Sequence, residues 1–241
     1  MRLIQVALVT EKLATVVDAL CERLTLEVAF KDPGVAVFGL ENAVLPVGDT
    51  FIEVLAPVKE GTTVGRYLAR RGGDTGYMVI LHAGGELAPH RERLRRAGVR
   101  IAWEGEIGAK AKEGFGAAWQ GIHLHPADTG GALLSLDHTD PRDAWPAAGP
   151  RWREHVRTDV MRELVAAELQ SDDPERLASR WSEVLGRPVA NGEIALDRGR
   201  LRFVAARDGR GEGLAGIDLL AADRKRAGET FEIGGMRLRL C

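Results

Sequence analysis

Two histidines near the middle of the chain have the spacing of metal ligands. His123 and His125 lie two residues apart in Gly121–His125, a segment whose composition predicts a β-strand. Side chains at positions i and i+2 of a strand share one face. Glu53 could therefore complete a set of two histidines and one carboxylate around a divalent cation. The alternative is that these histidines are ordinary structural residues with satisfied hydrogen bonds.

A short helix predicted over Thr62–Arg71 carries a different chemistry. It contains Arg66, Arg70 and Arg71, with Tyr67 between them. Guanidinium groups bind carboxylates and phosphates through paired hydrogen bonds, so this helix is a candidate anion site. The alternative is a solvated connecting helix, because exposed charges commonly contribute little.

A glycine-rich stretch lies after the arginine-bearing helix and leads into the strand with His123 and His125. Residues 105–121 hold five glycines, with Lys110, Lys112, Phe115 and Trp119 between them. Such a loop could close over an anionic ligand, and a merely flexible surface loop is the equal alternative. No strand, glycine turn and helix follow one another here, so the stretch predicts no dinucleotide or phosphate-loop site.

The nucleophiles have no hydrolase pattern. There is no Gly-x-Ser-x-Gly sequence, and Cys21 lies on the apolar face of a predicted helix. The only other cysteine is Cys241, so the sequence predicts neither a disulfide framework nor a thiolate zinc site. We expect a reducing compartment.

The charges balance along the chain, with 33 Lys and Arg against 35 Asp and Glu. Because the charges are interspersed, the sequence predicts no basic face of the kind that drives non-specific nucleic-acid binding, and we expect no nucleic-acid partner. The apolar start Leu3–Val9 is followed at once by Glu11 and Lys12, which is not the pattern of a signal peptide. No apolar run reaches the roughly 18–20 residues of a membrane helix, so a cytoplasmic protein without a membrane partner is expected.

The order of predicted elements repeats along the first half. The first unit comprises a strand at Leu3–Val9, an amphipathic helix at Glu11–Leu24, and strands at Leu26–Phe30, Val35–Leu40 with Ala43–Val47, and Thr50–Leu55. The second comprises a strand at Gly76–Ala83, a helix at Glu86–Ala97, and strands at Val99–Trp103, Gly121–His125 and Ala132–Asp137. This repetition predicts tandem βαβββ modules.

A third copy begins further along. Shifting Val6–Val28 by 161 residues lays it on Ala167–Val189 without a gap. The helix Asp173–Leu185 begins with Asp172 or Asp173 as N-cap and Pro174 in its first turn. The rest predicts a shortened fourth module, with strands at Glu193–Leu196, Arg200–Ala205, Leu214–Leu219, Thr230–Ile233 and Met236–Leu240 and a minimal helix around Ala222–Ala227.

The segment Asp140–Arg157, rich in proline, alanine and charge, predicts a boundary between two pairs of modules. We place a first domain at 1–140, a linker at 141–157 and a smaller domain at 158–241. Trp145 and Trp152 are expected to anchor the linker on a neighbouring domain rather than to stack on a ligand.

Four segments carry a family resemblance: Gln5–Leu8, Thr50–Pro57, Gly76–Val79 and His125–Leu134. Together they resemble the vicinal-oxygen-chelate, or glyoxalase-like, superfamily and within it the methylmalonyl-CoA epimerases. The likeness is good over about residues 1–138 and weaker over 161–241. It implies an α+β glyoxalase/bleomycin-resistance/dioxygenase fold, in which paired modules form curled mixed sheets around a small-molecule cavity.

The resemblance also implies a site. In that family a divalent metal such as zinc, iron, manganese or magnesium is held by one residue from each of four strands. The matching positions are Gln5, Glu53, Tyr77 or its neighbour Met78, and Ser135. Only Glu53 is an ordinary ligand, because an amide is a weak donor and the two hydroxyls keep their protons at neutral pH. No resident metal or cofactor is therefore expected.

Two functions from different classes remain open. One is a protein that binds a small polar or anionic metabolite, with Gln5, Glu53, Tyr77, Ser135, His123 and His125 lining the cavity. The other is an enzyme: a lyase, isomerase or dioxygenase with a metal set of Glu53, His123 and His125, or an isomerase with Glu53 as base and Tyr77 as acid. The duplicated modules could also serve as a dimerisation scaffold. Family members often form homodimers, whereas four modules can also satisfy one another within one chain.

Overall fold

A computed structural model describes residues 1–108 and 117–241. The first half contains β1 (Arg2–Val9), α1 (Leu13–Leu24), a 3-10 helix (Pro33–Phe38), β2 (Leu40–Val47), β3 (Thr50–Pro57), α2 (Thr63–Arg71), β4 (Thr75–His82), α3 (Ala88–Arg96), β5 (Ile101–Ile107), β6 (Ala118–Leu124), α4 (Pro126–Thr129) and β7 (Leu133–Asp140). Two 3-10 turns, Pro146–Ala148 and Trp152–His155, lie in the linker. The second half contains β8 (Met161–Ser171), α5 (Pro174–Leu185), β9 (Val189–Ala190), β10 (Glu193–Ala195), β11 (Arg200–Ala205), β12 (Gly213–Ala221), a 3-10 turn (Arg224–Arg226), β13 (Thr230–Ile233) and β14 (Met236–Leu240).

The described strands form two seven-stranded sheets built on one plan. The first has the order β2-β3-β1-β4-β7-β6-β5 and the second β13-β14-β12-β8-β11-β10-β9. Each centres on an antiparallel pair, β1 with β4 and β8 with β12, and each central strand has a parallel neighbour on its other side. The predicted α+β fold of tandem, curled mixed sheets is confirmed.

The helices form where the apolar spacing and the caps predict them. Helix α1 buries one stripe, which includes Leu20 and Leu24. Helix α5 begins at Pro174, and the Asp173 side chain accepts a hydrogen bond from Arg176 N. That cap satisfies one of the free N–H groups of the first turn. No helix among the described residues is long and apolar enough to cross a membrane.

Two predicted strands are wrong. Leu26–Phe30 makes only an isolated bridge, between Phe30 and Val44. Val35–Leu40 is mostly a 3-10 helix, because Pro33 starts it and the Asp32 side chain accepts from Gly34 N at 2.8 Å. This local hydrogen bond bends the backbone before a strand can form.

The two sheets share one apolar core, which packs the two halves against each other. The faces that carry α1, α3 and α5 meet in this core, with Trp181 of α5 fully buried. The sheets approach so closely at Gly76 that a Cβ there would lie 2.4 Å from the Leu214 carbonyl oxygen. The opposite face of the first sheet, called the inner face below, packs against α2 and the linker.

Candidate functional site

Strand register places the resemblance-derived positions on the inner face. Gln5 of β1 pairs with Phe51 on one side and with Ile80 on the other, and Ile80 pairs with Ser135 of β7. One step along, Ala7 lies between Glu53 and Met78. Two apolar residues of β4, Met78 and Ile80, therefore separate the β1 and β3 positions from β7.

Gln5 and Glu53 form the centre of a buried hydrogen-bond network. The Gln5 amide donates to Glu53 Oε2 at 2.8 Å, and the Asn42 amide donates to Glu53 Oε1 at 2.6 Å. The other end of each amide is fixed as well. Trp145 Nε1 donates to Gln5 Oε1 at 2.7 Å, and Asp32 N donates to Asn42 Oδ1 at 2.7 Å. Both amides must therefore turn their N–H groups towards Glu53.

The linker closes this part of the inner face. Trp145 and Trp152 are only 2% and 6% exposed. Phe51 lies between them, stacked on the Trp145 ring at 6.1 Å and edge-on to the Trp152 ring at 5.0 Å. The two tryptophans thus anchor the linker on the first sheet, where Trp145 contacts Gln5.

Burial and hydrogen bonding act in opposite directions on Glu53. Removal from water raises the pKa of this carboxyl to about 7, against the lowering effect of the Asn42 amide donor, while the nearby Asp32 charge raises it and the Gln5 donor lowers it. The carboxyl can therefore gain or lose a proton near neutral pH.

Tyr77 and Ser135 join other groups. Ala7 pairs with Met78 and Leu8 with Gly76, so Tyr77 is the extra residue of a bulge. Its ring contacts that of Tyr67 on α2 at 5.2 Å between centroids. The Ser135 hydroxyl, which has a single proton to donate, lies within hydrogen-bond distance of Asp137 Oδ1 and of the Ile122 carbonyl oxygen. The structure brings Gln5 and Glu53 into contact but shows neither Tyr77 nor Ser135 bonded to them.

Asp137 is a buried carboxyl that the sequence reading missed. Burial raises its pKa to about 7, against the hydrogen bonds from Ser135 and Trp119. The Trp119 indole nitrogen donates to Asp137 Oδ2 at 2.7 Å. The alternation of polar residues at 135, 137 and 139 of β7 was the available signal, since alternate residues of a strand share a face.

The two candidate histidines lie in different surroundings. His123 packs on Trp103 at 4.4 Å between ring centroids, and burial lowers its pKa to about 4. His125 follows β6 and caps α4, its Nδ1 accepting from Ala127 N at 3.2 Å. In residues 1–108 and 117–241 no three His, Cys, Asp or Glu side chains are close enough to hold a metal ion, so Glu53, His123 and His125 are not brought together.

A cavity of about 480 Å³ opens between α2 and the ends of β4 and β7. Its lining comprises Thr63, Arg66, Tyr67, Arg70, Arg71, Tyr77, Pro126, Gly130, Gly131, Ala132, Leu133 and Glu212. Helix α2 begins after Thr62, whose hydroxyl accepts from Gly65 N at 2.9 Å, and buries Val64 and Leu68 on the inner face. The arginines and Tyr67 of α2 therefore line the cavity, with Tyr77 of β4.

Within the described ranges none of the cavity's arginines forms an ion pair; the charge of Arg71 acts on Asp208, and Glu212 in the lining pairs with Arg176 outside it. Arg70 lies over the Tyr67 ring at 5.2 Å. Arg66 bonds back to Gly61 O and Thr63 Oγ1, and Arg71 donates to the carbonyls of two residues of the second half. Burial raises the pKa of Tyr67 and of Tyr77, so both hydroxyls keep their protons.

The glycine-rich loop contributes little that can be placed. Lys110, Lys112 and Phe115 lie outside the described residues. Trp119 belongs to β6 and binds Asp137, as above.

Paired βαβββ modules, curled into two mixed sheets, define a protein of the glyoxalase-like fold. Residues 6–185 match the family described as glyoxalase-like domain, and since this is well over half of the sequence, the chain belongs to that family. Among curated proteins none matches the sequence.

Several solved structures are similar to this chain. A hypothetical protein from Staphylococcus aureus is similar over 100% of this chain and 98% of its own, with 10% identity and a TM-score of 0.70. Methylmalonyl-CoA epimerase from Mycobacterium tuberculosis covers 57% of this chain and 87% of its own, with 22% identity and a TM-score of 0.45. The enzyme from Streptomyces coelicolor covers 57% and 96%, with 22% identity and a TM-score of 0.47.

Proposed function

We propose that the protein binds a small anionic metabolite in the cavity between α2 and the ends of β4 and β7. The observation that carries this proposal is a set of three arginines, none of them in an ion pair with another described residue, around a space of about 480 Å³. Ligand pockets commonly measure about 300–1,000 Å³. A cationic pocket of this size suits a carboxylate or a phosphate ester of modest length.

Arg70 is the central anion-binding residue of the proposal. Its guanidinium rests on the Tyr67 ring, which restricts its orientation, and no described group uses its N–H donors. A planar guanidinium held in this way can donate two parallel hydrogen bonds to one carboxylate or phosphate.

Tyr77 supplies a second polar contact. Within the described part of the chain its hydroxyl bonds to no protein group, whereas the Tyr67 hydroxyl donates to Gly76 O at 3.2 Å. Tyr77 can therefore donate to the ligand, and Leu133 and Pro126 offer apolar surface to its carbon skeleton.

We further infer that the superfamily's metal position is degenerate here. Both carboxylate oxygens of Glu53 already accept amide N–H groups, and the Gln5 oxygen accepts the Trp145 indole N–H. The third position in register is the thioether Met78. Divalent cations need several free donors, carboxylates for the hard ions and also imidazoles for zinc or iron, so these residues do not fit one. Binding at α2 needs no resident cofactor.

A second candidate is an isomerase in which Glu53 exchanges a proton with its ligand. The pKa of about 7 favours it, because a general base works best near the ambient pH. Trp145 would have to leave Gln5 first, so binding at α2 remains the better supported function.

Calorimetric titration of the full chain tests the proposal. Succinate and glycerol 3-phosphate are the anionic probes and glycerol is the neutral one. Arg70→Gln should weaken binding of at least one anion by about tenfold or more, since a charge-assisted pair contributes roughly 1.5–3 kcal/mol. Arg23→Gln is the matched control, because Arg23 also lies over an aromatic ring, that of Phe231, but outside the cavity. Equal affinities for wild type and Arg70→Gln would refute the proposal.

A further inference from the structure

The second sheet has an arginine-rich face of its own. On the side opposite the shared core lie Arg200 and Arg202 of β11 and Arg237 and Arg239 of β14. The alternate residues of the same strands, such as Phe203 and Leu238, belong to the core. We call this surface the arginine face.

Two buried carboxylates hold these guanidiniums in place. Asp218 is 1% exposed and accepts two hydrogen bonds from Arg202, at 2.9 Å each, and two from Arg239, at 2.6 and 3.1 Å. Glu168 is 4% exposed, accepts from Arg202 at 2.8 Å and forms an ion pair with Arg237. Bidentate pairing fixes the plane of a guanidinium, so Arg202 and Arg239 are oriented before any ligand arrives.

The positive charge exceeds that of the buried carboxylates. In the described chain four arginines meet Asp218 and Glu168; Glu193 lies 3.4 Å from Arg200 at the sheet edge, and the exposed Glu232 pairs with Arg237 across β13 and β14 without an ion pair. The side chains of Arg237 and Arg239 are 42% and 39% exposed. Their outer N–H groups therefore face solvent.

Small residues lie between the arginines. Ala166 separates Arg200 from Asp218 in the pairing across the strands, and Gly216 separates Glu168 from Arg237. Ala166 and Gly216 are both buried, so the guanidinium groups form the surface of this face. On the first sheet the corresponding area is filled by Trp145 and α2.

The internal duplication relates this face to the site of the first sheet. The shift of 161 residues places Ala7 on Glu168. On the neighbouring parallel strand, Ala7 pairs with Glu53 and Glu168 pairs with Arg202, so Glu53 corresponds to Arg202. Gln5 likewise corresponds to Ala166. Gln5 pairs through Ile80 with Ser135, and Ala166 pairs through Asp218 with Arg239, so Ser135 corresponds to Arg239. Positions that carry a carboxyl and a hydroxyl in one sheet carry guanidiniums in the other.

We propose that the arginine face is a second ligand site, which binds the phosphate group of a small molecule. Phosphate oxygens can accept from the exposed N–H groups of Arg237 and Arg239, and Asp218 fixes the orientation of the Arg239 guanidinium through two hydrogen bonds. The site is separate from the cavity at α2 and does not depend on it.

Titration of the full chain with inorganic phosphate and with glycerol 3-phosphate, followed by NMR of the arginine Nε–H groups, tests this proposal. Both probes should shift the Arg237 and Arg239 signals saturably. A response to inorganic phosphate but not to glycerol 3-phosphate would indicate a site for free phosphate rather than for a phosphate ester. Arg239→Gln and Arg237→Gln should each weaken this binding about tenfold, whereas Arg224→Gln, an exposed turn arginine, should leave it unchanged.

Two controls separate the outcomes. Arg237→Gln leaves Glu168 paired with Arg202, so the fold should persist even where Arg239→Gln disturbs it. Arg70→Gln should leave the Arg237 and Arg239 shifts intact, even if it abolishes binding at α2. The proposal is overturned if phosphate moves neither signal, or if the arginine-face variants bind phosphate as tightly as wild type.

Discussion

The indole nitrogen of Trp145 donates a 2.7 Å hydrogen bond to the amide oxygen of Gln5, a residue 140 positions earlier in the chain. This contact decides which end of the Gln5 amide faces Glu53. With the oxygen engaged, only the amide nitrogen can turn to the carboxyl, which it does at 2.8 Å. The linker thus determines the hydrogen bonding of a buried carboxyl on the first sheet.

Trp145→Phe should destabilise the protein by about 1–3 kcal/mol, because it leaves the buried Gln5 oxygen without its donor. Urea unfolding measures the change. Trp152→Phe is the matched control, since the Trp152 ring packs on the same Phe51 but its indole nitrogen donates to no described group. Equal losses in the two variants would show that ring packing, not the hydrogen bond, is responsible.

Stability should fall as the pH rises towards neutrality. Burial raises the pKa of Glu53 and of Asp137 to about 7, from ordinary values of 4.5 and 3.8. The folded state therefore holds these protons more tightly than the unfolded chain. Their contribution is full below about pH 4 and is lost as the pH rises through about 7.

Glu53→Gln isolates one half of this effect. Between about pH 5 and pH 8 the unfolding free energy of wild type should fall by about 2 kcal/mol relative to the variant. Asp137 titrates in both proteins, so its contribution cancels in the difference. A difference that stays constant with pH would mean that Glu53 keeps an ordinary pKa in the folded protein.

Tyr77→Phe should weaken anion binding at α2 by about three- to tenfold without loss of stability, because one neutral hydrogen bond contributes about 0.5–1.5 kcal/mol. Tyr67→Phe should instead lower stability and leave anion affinity nearly unchanged, since the Tyr67 hydroxyl donates to Gly76 O within the protein. Calorimetry and thermal unfolding of both variants separate the two roles. Unchanged affinity in Tyr77→Phe would remove this tyrosine from the site.

Gly76→Ala should cost about 1–3 kcal/mol or more, because the added methyl would lie 2.4 Å from the Leu214 carbonyl oxygen where the two sheets meet. At Gly85 a Cβ meets nothing within 4 Å, so Gly85→Ala should be nearly neutral. Denaturant unfolding compares the two. Tolerance of alanine at position 76 would show that the sheets can separate locally.

The sequence predicted the repeated modules well, because apolar periodicity and caps such as Asp173 act locally. Leu26–Phe30 was wrong as a strand since its composition does not show whether a neighbouring strand pairs with it. Glu53 was predicted as a site residue, and it is buried on the inner face beside Gln5. The bulge that carries Tyr77 towards Tyr67 depends on pairing between β1 and β4, which one strand's sequence does not encode.

The tryptophans of the linker also determine where the polypeptide can be truncated. A first half expressed only to residue 140 would lack Trp145 and Trp152. Phe51 would then lose both of its aromatic neighbours and become exposed to water. A truncated first half therefore has to extend past residue 152 to keep this apolar surface covered. The segment predicted as a linker belongs structurally to the first half.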